Sequence, residues 1–209
     1  MLDSYKKITN ALVNWINRVR SANRGLSDSL VSREVQSKFL ESVKYVGPKS
    51  FVLDSLAEMS ILHSQSYILA VVPNMQLQNI KVVDIGVYSV SKDWTSVDHA
   101  SSSHIDLHKQ IYEHTGSRAV LLCHPSCAYI MQQEKLKPVF SPLPGLQEII
   151  DGYAVVSLDD FCAQLENNHF LFIPEIGLFS HAADLMQATN QVEAFEWLCS
   201  INLALNRYS

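Results

Sequence analysis

The sequence lacks long apolar runs, an excess of basic residues and a signal-peptide pattern, and each absence excludes a class of protein. No stretch approaches the roughly 18 apolar residues of a membrane-spanning helix. The first residues, MLDSYKK, have no apolar segment like that of a secretory signal. The 16 Lys and Arg against 21 Asp and Glu leave a formal net charge of -5, whereas a general nucleic-acid binder shows a basic face. We therefore expect a cytoplasmic protein that binds neither membranes nor nucleic acids.

Cysteine and glycine are also scarce. The four cysteines lie in or beside apolar stretches, which predicts reduced, buried thiols; they are Cys123, Cys127, Cys162 and Cys199. The pair at 123 and 127 has no second pair with which to complete a zinc site. The seven glycines form neither a P-loop nor a dinucleotide-binding turn. These patterns exclude the commonest nucleotide-binding and structural-zinc motifs.

The chain does contain enough apolar material for one large domain, since 47% of its 209 residues are hydrophobic. We predict a single domain over 1–209 with an N-terminal helical segment to about residue 46. Apolar spacing predicts helices over 4–20, from caps at 27–29 to about Val43, and over 50–62, with a break at Gly47 and Pro48. Further strands are predicted over 63–72, 81–88, Ala119–Cys123, 154–156 and 170–179, and further helices over 105–112, 157–165 and 182–206.

The most informative stretch begins with three serines, at 101–103. Apolar residues follow at positions 105, 107, 111 and 112, which predicts a helix whose first turn is capped by a serine. Thr115 and Gly116 should end it. Serines at a helix start favour an anion there, because the backbone N–H groups and the helix dipole attract negative charge. A plain helix cap is the structural alternative.

His124 and Pro125 follow the apolar strand predicted over Ala119–Cys123. A polar ring at the end of a buried strand, before a proline that cannot continue the sheet, is a typical position for a site residue. A histidine held by a local hydrogen bond is the structural alternative. Six other histidines, His108 among them, are interpreted as surface or structural residues.

The order of paired serines, helix, small-residue turn, strand and His-Pro resembles the class II aldolase/adducin family, which includes fuculose-phosphate aldolases. A second block, the strand and turn over 172–179 followed by a helix with Asp184 and Ala188, resembles the late part of the same family. The resemblance implies an α/β fold, a three-layer α/β/α sandwich with a mixed, largely antiparallel sheet. It also implies a homo-oligomer, commonly a tetramer.

The resemblance further implies a divalent metal, typically zinc, held by three histidines, a glutamate that transfers protons, and serines that hold a substrate phosphate. By position, Ser102 and Ser103 would bind the phosphate of a small molecule, His104 stands where the catalytic glutamate would be, and His124 is the metal ligand that remains. Leu122 and Ile176 stand at the other two ligand positions.

These differences from the residues that the resemblance implies leave several hypotheses for the chemistry of the site. Residues 122 and 123 should point to opposite faces of the strand, so Cys123 cannot replace the ligand missing at 122. One histidine is a poor zinc site. His104 could add a second nitrogen and Cys127 a thiolate, or His104 and His124 could transfer protons without metal.

Two functions remain. In the first, the protein lacks ordinary metal-dependent aldolase activity and is a binding or oligomeric scaffold. In the second, it is a carbon–carbon lyase or an epimerase that acts on phosphorylated sugars through a rebuilt metal site. The apolar residues at the two ligand positions favour the first.

Overall fold

The structure of the protein is a computed structural model that describes residues 30–52, 56–71, 77–90, 104–136 and 152–207. The predicted helix over 4–20, the predicted caps at 27–29 and the serines at 101–103 lie outside the described residues.

A seven-stranded sheet forms the middle layer. In chain order its strands are β1 (Glu58–Ser64), β2 (Tyr67–Val71), β3 (Ile85–Ser89), β4 (Ala119–Cys123), β5 (Tyr153–Val155), β6 (Phe170–Ile173) and β7 (Gly177–Ala182). Their order across the sheet is β3-β2-β1-β4-β7-β6-β5. The β5–β6 pair is parallel, and the other five neighbouring pairs are antiparallel. This confirms the predicted mixed, largely antiparallel sheet.

Helices cover both faces of the sheet. The described part of the chain contains α1 (Arg33–Val46), α2 (Ile105–His114), α3 (Ser126–Gln133), α4 (Phe161–Gln164) and α5 (Leu185–Arg207). Two separate apolar clusters show which helices share a face: α1, α3 and α5 pack on one, and α2 and α4 on the other. Strand β4 contributes to both, with Leu121 and Cys123 on the α5 side and Val120 and Leu122 on the α2 side. The three layers expected from the sequence are therefore present.

None of the helices in the described ranges is both long and apolar enough to cross a membrane.

The segment around β1 differs from the structure predicted for it. Residues 50–62 were predicted as a helix, but the structure has a strand from Glu58. This strand pairs with β2 on one side and β4 on the other, so its backbone groups are satisfied by residues distant in sequence. The apolar spacing of a short segment does not reveal such pairing, and here the tertiary pairing overrides it. As strand residues, Glu58 and Ser60 both face α2.

The elements around β4 follow the sequence closely. Strand β4 covers the predicted residues and ends before His124 and Pro125, and α2 ends at its cap, Thr115. The expected serine cap of α2 is wrong, because the N-cap residue is His104 and its side chain makes no capping bond. Helix α1 starts at Arg33, later than predicted, and ends at the predicted break.

Candidate functional site

A histidine and a glutamate meet where β1 and α2 begin. His104, the N-cap of α2, places its Nδ1 2.9 Å from Oε1 of Glu58 on β1. The carboxylate oxygen can only accept, so the imidazole N–H donates to it. The Glu58 side chain is 7% exposed and that of His104 is 27% exposed. The pair therefore joins a buried acceptor to a ring that reaches the protein surface.

A polar network continues from this pair beneath α2. Nε2 of His108 lies 3.8 Å from the second carboxylate oxygen of Glu58. Its Nδ1 lies 2.7 Å from the Ser60 hydroxyl oxygen, which in turn lies 2.7 Å from the hydroxyl oxygen of Tyr112. Residues four apart share one face of a helix, and residues two apart share one face of a strand. The network thus joins the matching faces of α2 and β1.

Burial sets the charge state inside this network. His108 is 1% exposed and its ring packs edge-on against Phe179, with ring centroids 5.9 Å apart. Burial lowers the pKa of His108 to about 4; the Glu58 charge opposes this shift, and His104 adds to it. Burial likewise raises the pKa of Tyr112. Both groups are therefore neutral at physiological pH, and His108 brings no positive charge to Glu58.

His124 is held by the backbone on two sides. Its backbone N–H donates to the carbonyl oxygen of Phe51 at 3.0 Å. Its ring Nε2 donates to the carbonyl oxygen of Ile176 at 2.9 Å. The ring stacks on Tyr129 with centroids 6.0 Å apart. Burial lowers the pKa of His124, and the bond to Ile176 opposes this shift. Its Nδ1 is buried and makes no hydrogen bond to any residue that the structure describes.

The turn beneath His124 requires glycine. Gly177 has a φ of +146°, a conformation that residues with a side chain rarely adopt. A Cβ atom there would lie 2.8 Å from Cδ1 of Leu122 and 3.2 Å from Nε2 of His124. The close approach of this turn to β4 is what brings the Ile176 carbonyl oxygen to His124.

Two of the four residues predicted for the site are described: His104 is the N-cap of α2, and His124 directly follows β4. Glu58 is the Cα partner of Leu122, which lies two residues before His124 on the chain. Ser102 and Ser103 lie outside the described residues. Sequence reasoning missed Glu58, which fell inside a mispredicted helix, and it took His108 for a surface or structural residue. The four-residue spacing of His104, His108 and Tyr112 was the available signal.

The residues around His124 do not fit the zinc site that the resemblance implied. Leu122 is fully buried in the apolar cluster under α2, between its strand partners Glu58 and Phe179. Ile176 packs against the same cluster. Within the described ranges, no group of three or more His, Cys, Asp or Glu side chains could hold a metal ion. A catalytic zinc normally takes three protein ligands, and this donor set falls short.

The two cysteines near His124 do not replace these ligands. Cys123 lies in the cluster on the opposite face of the sheet from Leu122, as the strand geometry predicted. Cys127 packs against that same opposite cluster. Burial, with a contribution from Glu196, raises the pKa of Cys127 to about 11, so its thiol is protonated at neutral pH. Cys127 therefore packs on the opposite side of the sheet from Leu122 and Ile176, away from the expected ligand positions.

Comparison with known proteins gives a family match over most of the chain. A family profile described as Class II Aldolase and Adducin N-terminal domain matches residues 41–203. No curated protein matches the sequence.

Solved structures share the fold at low identity. The L-fuculose-1-phosphate aldolase from Thermus thermophilus superposes with a TM-score of 0.71 at 14% identity, over 85% of this chain and 98% of that one. Another structure, titled L-fuculose 1-phosphate aldolase, gives 0.69 at 16%, over 86% and 89%. A sugar-phosphate aldolase from Thermotoga maritima gives 0.64 at 15%, over 85% and 97%. At identities this low, the superpositions establish a common fold and nothing further.

Proposed function

This chain belongs to the Class II Aldolase and Adducin N-terminal domain family, and from that premise we propose that it lacks ordinary metal-dependent aldolase activity and serves as a binding or oligomeric scaffold. The observation that carries this proposal is the packing of Leu122. Full burial of a leucine side chain contributes about 2 kcal/mol to folding. The position that the resemblance assigns to a metal ligand is thus part of the apolar core.

The state of His124 supports the same proposal. A histidine that binds a metal normally uses one ring nitrogen for the metal and donates the other N–H to a fixed acceptor. His124 has such an acceptor, the Ile176 carbonyl oxygen, but two further ligands are lacking among the described residues. Its present contacts therefore support a structural role, which is to tie the turn before β7 to the end of β4.

The binding role concerns the region in front of His104. We propose that Ser102 and Ser103 hold the phosphate of a small molecule there, and that His104 contacts the same ligand. Self-association into a homo-oligomer and a cytoplasmic location complete the proposal. The solved structures named as sugar-phosphate or L-fuculose-1-phosphate aldolases support a phosphorylated sugar as the ligand class.

A second candidate function is a sugar-phosphate lyase or epimerase with a rebuilt metal site. Two buried ring nitrogens favour it: Nδ1 of His124 and Nε2 of His108 have no hydrogen-bond partner among the described residues. Such orphaned groups in a folded protein require an explanation, and a bound ion is one. The two candidates differ in metal content.

The deciding experiment measures metal per chain by mass spectrometry on the untagged, dialysed protein. We expect much less than one zinc or other divalent ion per chain, with no difference between wild type and His124→Ala. Near-stoichiometric metal that His124→Ala removes, and that the matched control His114→Ala retains, would overturn the proposal in favour of the lyase. Light scattering during size-exclusion chromatography tests the oligomer, and a monomer would contradict that part.

A further inference from the structure

We infer that a cavity between α1, the end of β1 and the start of α5 binds a small aliphatic monocarboxylate, and that Arg118 holds the carboxylate. The cavity has a volume of about 290 Å³. That volume lies near the lower limit for ligand pockets, so the cavity suits a small molecule. The inference is independent of the proposed function and concerns a different part of the protein.

The cavity lies at the other end of β1 from the candidate site. Glu58, which contacts His104, begins the strand, whereas Leu62 and His63 near its end line the cavity. The extended chain from Glu58 to Leu62 spans about 13 Å. A ligand in the cavity is therefore separate from one in front of His104.

Apolar side chains form one wall of the cavity. Phe39 of α1 and Leu185 of α5 belong to the buried cluster that joins these helices to the sheet, and Ile61 of β1 packs against that cluster. Removal of apolar surface from water is favourable, so this wall favours a ligand with an aliphatic body. An inorganic anion would not cover the wall.

Arg118 is the charged group of the cavity that has no acidic partner in the described part of the chain. None of the ion pairs found there includes it. Its guanidinium makes one long hydrogen bond to a described residue, 3.4 Å to the carbonyl oxygen of Leu62. Its backbone N–H donates to the carbonyl oxygen of Ala182, and its carbonyl oxygen accepts from the N–H of Leu62, each at 2.8 Å.

These contacts fix the backbone of Arg118 and leave most of its side-chain donors available. A guanidinium carries five N–H donors in a planar fork, and two of them match the two oxygens of a carboxylate. Hydrogen bonds between two charged groups are also stronger than neutral ones. Arg118 therefore supplies both the charge and the geometry that a carboxylate requires.

The other charged side chains of the cavity favour a ligand with a single negative charge. Lys38 is already paired with Glu34 at 2.7 Å. Asp184 accepts from the backbone N–H of Gln187 at 2.7 Å and so caps the first turn of α5. Its carboxylate would repel a dianion such as phosphate. One positive charge, that of Arg118, remains to be matched, and a monocarboxylate matches it.

Titration of the full chain with sodium 4-methylpentanoate, followed by amide proton–nitrogen NMR spectra, tests the inference. We expect saturable binding with a dissociation constant of about 1 mM or lower. Arg118→Gln should weaken binding about tenfold or more, because the charge-assisted hydrogen bonds are lost. The matched control Arg207→Gln, at the end of α5, should bind as wild type does. Absence of saturable binding, or equal binding by wild type and Arg118→Gln, would overturn the inference.

Three further probes test the chemistry of the ligand. Acetate lacks the aliphatic body, 4-methylpentanamide lacks the charge, and inorganic phosphate has neither the body nor a single charge. Each should bind more weakly than 4-methylpentanoate by about fivefold or more. Equal affinity for any of the three would contradict an aliphatic monocarboxylate as the ligand class.

The same spectra locate the bound probe. Shift changes should concentrate at residues 61–63, 118 and 183–185, whereas changes confined to residues 104–108 and 124 would overturn the inference. Ser42→Phe keeps every charge and places a large side chain into the cavity from α1, so it should abolish binding even if Arg118→Gln fails to fold. Wild-type affinity in Ser42→Phe would contradict the site. Metal content tests the proposed function alone, so the two proposals can fail separately.

Discussion

Glu58 and Leu122 are Cα partners across β1 and β4, so a buried carboxylate lies beside the apolar residue that stands at the expected first metal-ligand position. The carboxylate belongs to the neighbouring strand, β1, and it accepts a hydrogen bond from the imidazole of His104. The buried polar group on this face of the sheet therefore belongs to β1, and its partner is an imidazole on α2.

The packing of Leu122 predicts a large stability cost on truncation. Leu122→Ala should lower the free energy of unfolding by about 2 to 5 kcal/mol, because it leaves a cavity in the cluster under α2. Urea unfolding measures the change. Leu158→Ala is the control, since Leu158 is 55% exposed and should cost less than about 0.5 kcal/mol. Equal costs in the two variants would show that the ligand position is not filled by packing.

Acid should destabilise the protein through His108. Its folded-state pKa of about 4 lies below the ordinary value of 6.5, so the unfolded chain takes up the proton first. The stability that comes from the neutral ring is complete above pH 6.5 and is lost as the pH falls towards 4. At about 1.4 kcal/mol per pKa unit, the full loss is on the order of 3 kcal/mol.

Urea unfolding at several pH values checks this loss. His108→Asn should show a correspondingly weaker fall in stability between pH 6.5 and 4 than wild type. The exposed His114 gives the control, and His114→Asn should follow the wild-type curve. Parallel curves for wild type and His108→Asn would contradict the assignment of a buried, neutral ring.

The turn at Gly177 should not tolerate a side chain. Gly177→Ala should destabilise the protein by about 1 to 3 kcal/mol, because φ is unfavourable and the new Cβ would press on Leu122. Thermal unfolding is the measurement. Gly116→Ala is matched to it, since nothing lies within 4 Å of a Cβ at that position, and it should leave stability nearly unchanged or slightly raised. A Gly177→Ala protein as stable as Gly116→Ala would refute the close approach.

Glu196 should act as the cap of α3 from a distant helix. Its carboxylate accepts from the backbone N–H groups of Cys127 and Ala128 at 2.8 and 3.2 Å, while the N-cap residue, Pro125, makes no side-chain capping bond. Glu196→Ala should cost about 1 to 2 kcal/mol in urea unfolding.

Glu193, one turn earlier on α5, gives the matched control. It forms a partly exposed ion pair with Lys49 at 2.7 Å, and such pairs contribute less than about 1 kcal/mol. Glu193→Ala should therefore cost less than Glu196→Ala, and the reverse order would contradict the capping role.

The sequence by itself determined the elements whose pattern is local. Strand β4 is a continuous apolar run that ends at a proline, α2 has helical spacing and a stop at its end, and the β6–β7 pair encloses a turn; each was predicted and is present. The mixed sheet between helices followed from the resemblance carried by those same segments. His124 was predicted as a site residue because it follows a well-predicted strand, whereas His104 was predicted only because the resemblance places it where the catalytic glutamate would be.

Only the tertiary structure decided what these residues contact. Glu58 and His104 are 46 positions apart, and their contact depends on β1 being a strand, which pairing with β2 and β4 imposes. The apolar spacing of residues 50–62 is compatible with a helix, and the hydrogen bonds that exclude it come from distant parts of the chain. The spacing of His104, His108 and Tyr112 is visible in the sequence, but their contacts with Glu58 and Ser60 are not, because those contacts exist only where two separately predicted regions lie side by side.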